Sequence, residues 1–493
     1  MDWLFRNFCK GLITIVLLLP ISSAADGFDP ISAVDEIYSG MDPFSTQDEV
    51  PASPDKGMGT SVALEPCQFM AIGSPITLLE VVERALCFNP QTRQAWASVK
   101  TQAAQVGISE AAYLPTLNAT ASGTYGRNRS SNKSTVADYP DYSRNDTTTL
   151  LGYNLNLNWI LFDFGLRRAN LAMARFSLAA ANAMQDATLQ NVFVAAAQGY
   201  YDLLSAQGAL DASIETELSA KESFLAADAI YQAGAGTLAD KLQAETTYAE
   251  ASLERAKARG ELKNAYGALA VAMGLNANAP LTVDGQSGEL PNTNFVKSVD
   301  SLIEDAQRNH PSLLAAKAQL ESAQAKVDAA KAEGLPTVAL TGAVNYNNQT
   351  GIATSDSISE YDNIGVQVNI PLFEGFGRSY RIQSAKAQAE SKAADLANAE
   401  QQISLDVWKS YQSLQTETEN LHATENLLQS STQSFKVAQG RYKAGVGTII
   451  ELLRAQSTLA SARQKRIKAF SNWRTARLKL ASSLGKLGFW ALQ

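Results

Sequence analysis

The sequence predicts a mainly helical chain with a smaller β component, and it predicts that this chain is written twice. Three observations carry that reading. The stretch YLPTLNATASGTYG at Tyr113–Gly126 returns as GLPTVALTGAVNYN at Gly334–Asn347, and LFDFG at Leu161–Gly165 returns as LFEGFG at Leu372–Gly377. YQAGAGTLAD at Tyr231–Asp240 likewise returns as RYKAGVGTIIE at Arg441–Glu451. Each copy also holds two segments of apolar–polar alternation with the two-residue period of a strand, and one very long helical pattern. The predicted division is 1–25, 26–75, a first repeat over 76–290 and a second over 291–493.

The first 25 residues read as a secretory signal: Arg6 and Lys10, an apolar run Leu12–Ile21, and the small residues Ser22-Ser23-Ala24. The apolar run is about half of the ~20 residues a spanning helix needs. Export then leaves Cys67 and Cys87 in the mature chain. In an oxidising compartment they can bridge, closing a loop of about 20 residues and contributing about 3 kcal/mol, the alternative being two free thiols. Residues 26–75 read as a solvated, largely unstructured extension: eight acidic residues stand against Lys56 alone between Asp26 and Gly57, with Pro30, Pro43, Pro51 and Pro54 among them. A net charge of -8 argues against nucleic acid as a partner.

Order begins at Thr77-Leu-Leu-Glu80, which has capping-box spacing. A short helix to about Phe88 gives way at Asn89-Pro90 to another that stops near Pro115, and His310-Pro311 starts the equivalent helix in the second copy, 311–334. The strands follow at about 116–126 and 150–161, and at about 337–347 and 362–371. In the first copy Leu151, Tyr153, Leu155, Leu157 and Trp159 share one face, with Gly152, Asn154, Asn156 and Asn158 on the other. In the second, Ile364, Val366, Val368 and Ile370 oppose Gly365, Gln367 and Asn369. About ten residues, one apolar face, one amide face and aromatic ends are the pattern of a transmembrane β-strand; a half-exposed soluble sheet is the other reading. Tyr153, Trp159, Phe162, Phe164, Phe373 and Phe376 are placed as an interfacial aromatic girdle, or as ordinary packing at the strand-to-helix junction. The polar connections Gly126–Thr149 and Asn347–Asp362 read as long loops.

After each hairpin comes a helix of up to ~100 Å, over 166–232 and 379–439. Val192, Ala196, Gly199, Leu203, Ala206 and Leu210 form a coiled-coil stripe with small residues. Val407, Tyr411, Leu414, Thr418, Leu421, Glu425 and Leu428 repeat it with two polar intrusions. Return helices are predicted over 238–274 and 448–485, with a Gly/Pro/Asn-rich linker Leu275–Asn292. Such rods suit a tube that crosses a compartment, and four strands are too few to close a barrel, so membrane-spanning strands require several copies. Gly234 and Gly236, and Gly445 and Gly447, are expected to take positive φ where the long helices reverse. His310 and His422 lack metal-ligand companions, and no P-loop, nucleophile elbow or CxxC is present, so no catalytic, cofactor or metal site is predicted.

The paired LPT segments, the LFD/LFEG corners and the motif Tyr442, Gly445, Thr448, Glu451, Ala455, Gln456 together resemble the TolC-like outer-membrane efflux and secretion channels over roughly Ile76–Gly488. The C-terminal stretch and the Cys-containing N-terminal region look most like the CyaE-type subgroup, which exports repeat-toxin proteins by type I secretion. The resemblance implies a homotrimer whose transmembrane β-barrel, four strands from each copy, continues into an α-helical barrel. It implies no enzymatic activity, an outer-membrane location with a periplasm-spanning tunnel, outer-membrane lipid around the barrel, and no nucleic acid. Its partners would be a periplasmic adaptor (membrane fusion) protein with an inner-membrane ATP-driven exporter, or with a proton-driven pump for drug efflux. A pore-free periplasmic coiled-coil scaffold is the reading from a different class. By position in the family, Asp240, Tyr442 and Glu451 are candidates for a gate at the helix tips. Gly447 stands where the family's best-known pattern has an arginine and Arg454 where it has an acid, so a contact of Arg454 with Glu451 or Asp240 is expected instead.

Overall fold

The computed structural model describes residues 41–51, 75–133, 135, 140, 142–283, 299–350, 356–485 and 487. The leader, most of the extension, Cys67 and most of the Leu275–Asn292 linker lie outside them. In the N-terminal unit that ends at Ser45, the described residues form a turn in which Ser45 N donates to Asp42 O (3.1 Å).

The elements run α1 (Leu78–Phe88), α2 (Pro90–Ala111), β1 (Thr116–Asn132), β2 (Tyr142–Phe162), α3 (Leu166–Gln232) and α4 (Leu238–Ala272). The second copy supplies α5 (Val299–Asn309), α6 (Pro311–Ala332), β3 (Thr337–Thr350), β4 (Ser357–Asn369), α7 (Gly377–Lys443) and α8 (Ile449–Ser483). The strands form one antiparallel sheet in the order β1-β2-β3-β4, with one edge of β1 and one of β4 unpaired.

The helix starts are capped as their sequences dictate. Thr77 Oγ1 accepts from Glu80 N (3.3 Å), Asn89 Oδ1 from Gln91 N (2.8 Å) and His310 Nδ1 from Ser312 N (3.2 Å), the last two with proline at the first helical position. The α3 stripe is buried at Val192, Ala196 and Leu203, and it meets Leu269 of α4 and Met273 just past its end, Leu478 of α8 and Ile76, Val81 and Val82 around α1. A parallel bridge from Ile76 to Val283 ties the start of the linker into the same cluster. The two polar intrusions in the α7 stripe both find partners on α8. Thr418 Oγ1 accepts from Trp473 Nε1 (3.1 Å), and Glu425 takes the Arg466 guanidinium.

The duplication is visible in how each repeat closes. Gly274, at φ +77°, ends α4 against Phe88 O, which an added Cβ would meet at 2.4 Å; Gly485, at φ +68°, ends α8 against His310 Cα, at 2.8 Å. In both copies, then, the return helix stops on the break between the two shorter helices, and only glycine permits that approach. Between the repeats, α6 packs against both α3 and α7, whereas among the described residues α2 packs against α3 with no comparable packing on α7.

Two sequence expectations are corrected. The polar connections are largely strand: β1 continues to Asn132, β2 begins at Tyr142, β3 reaches Thr350 and β4 starts at Ser357. Apart from Ile358 and Tyr361 in β4, these extensions are largely polar on both faces, so they carry no regular alternation, yet the ladder still satisfies their backbone groups. The extension is also not wholly unstructured. Thr46–Glu49 form a 3-10 turn, Thr46 is buried against Gly107, and Val50 packs on the α2–α3 cluster around Val99 and Ala103. Pro51 O accepts from Trp96 Nε1 (3.1 Å), so one apolar side chain and one indole hold this segment to α2.

Candidate functional site: a two-faced sheet and two helical tips

The sheet separates its side chains by chemistry. Through the registers Leu157↔Leu117, Trp159↔Leu340↔Val366 and Tyr153↔Tyr346, one face is apolar and exposed. Tyr153 is 55% exposed, Phe162 52%, Ile364 63% and Val366 63%, a contiguous surface that water does not favour. The opposite face aligns Asn118↔Asn156 and Thr120↔Asn154↔Asn345, and the Asn154 and Asn345 amides bond to each other. Tyr153 and Tyr346 meet at 6.1 Å between ring centroids at one end of the apolar band. At the other end Phe162 meets Phe164 (4.7 Å) and Phe373 meets Phe376 (5.5 Å). Nine steps from Tyr153 to Phe162 at about 3.3 Å make about 30 Å, which a tilt of about 40° projects to about 23 Å, close to the ~25 Å apolar band of outer-membrane barrels.

The strand-to-helix corner holds a clamp that the sequence reading missed. Asp163 is buried and accepts from Gly165 N (3.2 Å), Arg167 N (3.0 Å) and Arg167 Nε (2.8 Å). Arg167 Nη1 donates to Ile160 O (2.7 Å), and its guanidinium lies 4.8 Å from the Tyr113 ring centre. Trp159 Nε1 donates to Tyr113 O (2.9 Å), so both sides of the corner are pinned to the end of the α2 segment. In the second copy Arg378 donates to Gly334 O (2.7 Å) and Lys331 O (3.0 Å), while Glu374 pairs with Arg381 in the open. The repeated Asp/Glu three residues into each LF motif was the available signal.

The helix reversals are built alike. Gly234 N donates to Tyr231 O (2.9 Å) and Ala235 N to Ile230 O (3.0 Å); Gly445 N donates to Tyr442 O (3.0 Å) and Val446 N to Arg441 O (3.0 Å), the paired bonds of a Schellman cap. Gly234 and Gly445 sit at φ +71° and +72°. Gly236 and Gly447 do not take positive φ. They are required by proximity instead: an added Cβ would lie 3.0 Å from Ile230 Cγ2 at Gly236 and 3.0 Å from Arg441 Cβ at Gly447. The next helices start on Thr237 and Thr448, whose hydroxyls accept from Asp240 N (3.1 Å) and Glu451 N (3.3 Å).

The two tips lie together. Ala227 and Ala244 of the first pack with Ile449, Leu452 and Leu453 of the second, with Tyr442 against the cluster. Burial, and then the nearby Asp240 charge, push the Tyr442 phenol up from its usual range. Lys241 bonds Asp228 (2.7 Å), which with neighbouring acids raises its own titration. Glu451 faces Arg441 at 3.9 Å, not Arg454. Arg454 is exposed and lines two open grooves, one of about 890 Å³ between α7 and α8 and one of about 560 Å³ on the side of α4. Glu451 is the third residue of α8, within reach of Arg441 near the end of α7. Cys87 is disulfide-bonded, and its predicted partner Cys67 is outside the described residues. Among the described residues no group of side chains is arranged to hold a metal, and no helix is long and apolar enough to cross a membrane.

Comparison with known proteins follows the same lines. Residues 81–275 and 302–486 match the family described as outer membrane efflux protein. The chain is 32% identical to the protein CyaE of Bordetella pertussis over 84% of this chain and 85% of that one. It is 24% identical to the outer membrane protein TolC of Vibrio cholerae over 83% of this chain and 91% of that one. Its fold matches the CmeC outer membrane channel of Campylobacter jejuni with a TM-score of 0.72 at 20% identity, covering 83% and 85% of the two chains. A duplicated chain with four antiparallel strands, long helices and two matched repeats is thus an outer-membrane protein of the TolC-like channels, and it belongs to the outer membrane efflux protein family, whose members are channels and not enzymes.

Proposed function

We propose that this chain is the passive outer-membrane exit duct of a tripartite export machine for type I protein secretion. Three copies close a barrel of twelve strands, four from each, and their helices continue it as a tunnel across the periplasm. The observation that carries this reading is the sheet: an apolar exposed face, an amide face and two unpaired edges. Such edges are untenable in lipid unless further strands cover them. The packing of α6 between the two long helices supports ring closure, since α2 lacks that second neighbour within the chain. The likeness to CyaE supports protein secretion over small-molecule efflux.

In this reading Tyr153, Trp159, Phe162, Phe164, Phe373 and Phe376 sit at the lipid interfaces. The reversals at Gly234/Gly236 and Gly445/Gly447 face the inner membrane and receive a periplasmic adaptor. Asp240, Tyr442, Glu451 and Arg441 contribute to closing the tips, with Arg454 free to meet the adaptor. The bridge from Cys87 to Cys67 fastens the extension to α1. Energy comes from an inner-membrane ATP-driven exporter. A photo-crosslinker at Lys443, at the exposed end of α7, tests the assignment in cells. Capture of the adaptor of an ATP-driven exporter is expected. Capture of the adaptor of a proton-driven pump would move the protein to drug efflux.

A further inference from the structure

The two hairpins share one register. Thr116 faces Asn158 in the first and Thr337 faces Asn369 in the second, so β3 is β1 displaced by 221 residues and β4 is β2 displaced by 211. The same offsets relate Pro115 to Pro336 and Leu161 to Leu372. The β2–β3 contact therefore joins the second strand of one hairpin to the first strand of the next. The unpaired edges belong to β4, a second strand, and β1, a first strand. A seam between copies can repeat the β2–β3 arrangement, and each observed pair then transfers to a definite new one.

Tyr153↔Tyr346 becomes Ile364 opposite Tyr125, and Asn154↔Asn345 becomes Gly365 opposite Thr124. Polarity is preserved on both faces. Further along, Leu151↔Asn348 becomes Asp362 opposite Arg127, and Thr149↔Thr350 becomes Glu360 opposite Arg129. In both cases an acid meets a base. All four side chains are exposed, and none forms an ion pair within the described part of the chain. They share the face that carries Tyr125 and Ile364, one and two same-face steps beyond the aromatic end of the apolar band.

We propose that this chain selects a second copy of itself through two cross-strand ion pairs, Asp362 with Arg127 and Glu360 with Arg129 of the neighbouring copy, which fix the register of the seam. The proposal rests on the closed-barrel reading above. Directly opposed side chains on antiparallel strands are close enough for such pairing. The charge pattern also rejects errors. A one-residue slip sends acids and bases to opposite faces, and a two-residue slip keeps at most one acid opposite a base.

The test uses the full chain in outer membranes, with cysteines at neutral seam positions so that all four charges remain. Oxidation of Ile364→Cys with Tyr125→Cys is expected to link copies covalently, several-fold more than the slipped combination Ile364→Cys with Gly123→Cys. Adding Arg127→Glu and Arg129→Glu should abolish the in-register link, and further adding Glu360→Arg and Asp362→Arg should restore it. Equal or better linking of the slipped combination overturns the register, and a link insensitive to charge reversal overturns the role of the ion pairs. In either case an oligomer measured by light scattering leaves the closed-barrel reading standing; a monomer overturns both.

Discussion

The strand-to-helix corners offer a controlled comparison, because the two repeats place an acid at the same topological point in different surroundings. Asp163 and Arg167 have side chains 9% and 11% exposed, and Asp163 accepts three hydrogen bonds. Asp163→Ala removes the acceptor but leaves the guanidinium buried, with two backbone N–H groups orphaned. Removing one partner of a buried pair costs about 3–5 kcal/mol. Glu374 and Arg381 are 29% and 45% exposed, so Glu374→Ala should cost no more than about 1 kcal/mol. The assay is the urea midpoint of the detergent-solubilised protein followed by tryptophan fluorescence, with Asp163→Ala/Arg167→Met as the third variant. Removing both charges should recover most of the loss, since no unpaired ion then remains. Equal sensitivity of the two corners, or no recovery in the double variant, would refute the reasoning.

The other predictions concern the tips and the cap at His310. Gly445→Ala forces an alanine to φ +72° and Gly447→Ala drives a Cβ to 3.0 Å from Arg441 Cβ; each should destabilise the second tip by about 1–3 kcal/mol. Gly440→Ala, with open space around it inside α7, should gain about 0.5–1 kcal/mol by the same urea midpoint. Burial holds the His310 imidazole below its usual value of 6.5, against the opposing charge of Asp406. The stability contributed by neutral His310 is therefore complete above about pH 6.5 and is lost as the pH falls through the lower folded-state value. His310→Asn keeps a cap without a titrating group, so its acid denaturation curve should be flatter across that window. Asp240→Ala and Glu451→Ala should each raise single-channel conductance if these acids contribute to closing the tips; unchanged conductance would remove them from the gate.

Much of this architecture can be read from the sequence because its periodicities are long. The helical pattern from Leu166 to Gln232 runs without proline, and Leu151–Trp159 alternates strictly, so element type follows from spacing alone. The strand ends were not legible: Arg127 to Asn132 and Tyr142 to Thr149 are polar on both faces, and only the ladder reveals them as strand. The Asp163–Arg167 spacing looks like any surface helix pair, and its burial depends on the α2 segment returning to the corner. Gly236 and Gly447 were read as sites of positive φ when their need is close approach to the preceding helix. The resemblance points to a contact of Arg454 with Glu451 or Asp240, but it is Arg441 that faces Glu451 across the reversal. Periodicity reports which face of an element is apolar; it does not report which neighbour that face meets.

The central claim is that copies of this chain enclose a water-filled pore, and conductance tests it most directly. The purified full-length protein, with Asp240→Ala and Glu451→Ala to relax the tips, should give long-lived unitary current steps in a planar lipid bilayer. Protein that inserts into the bilayer yet carries no current, even with both acids removed, would contradict the account and leave a scaffold without a pore.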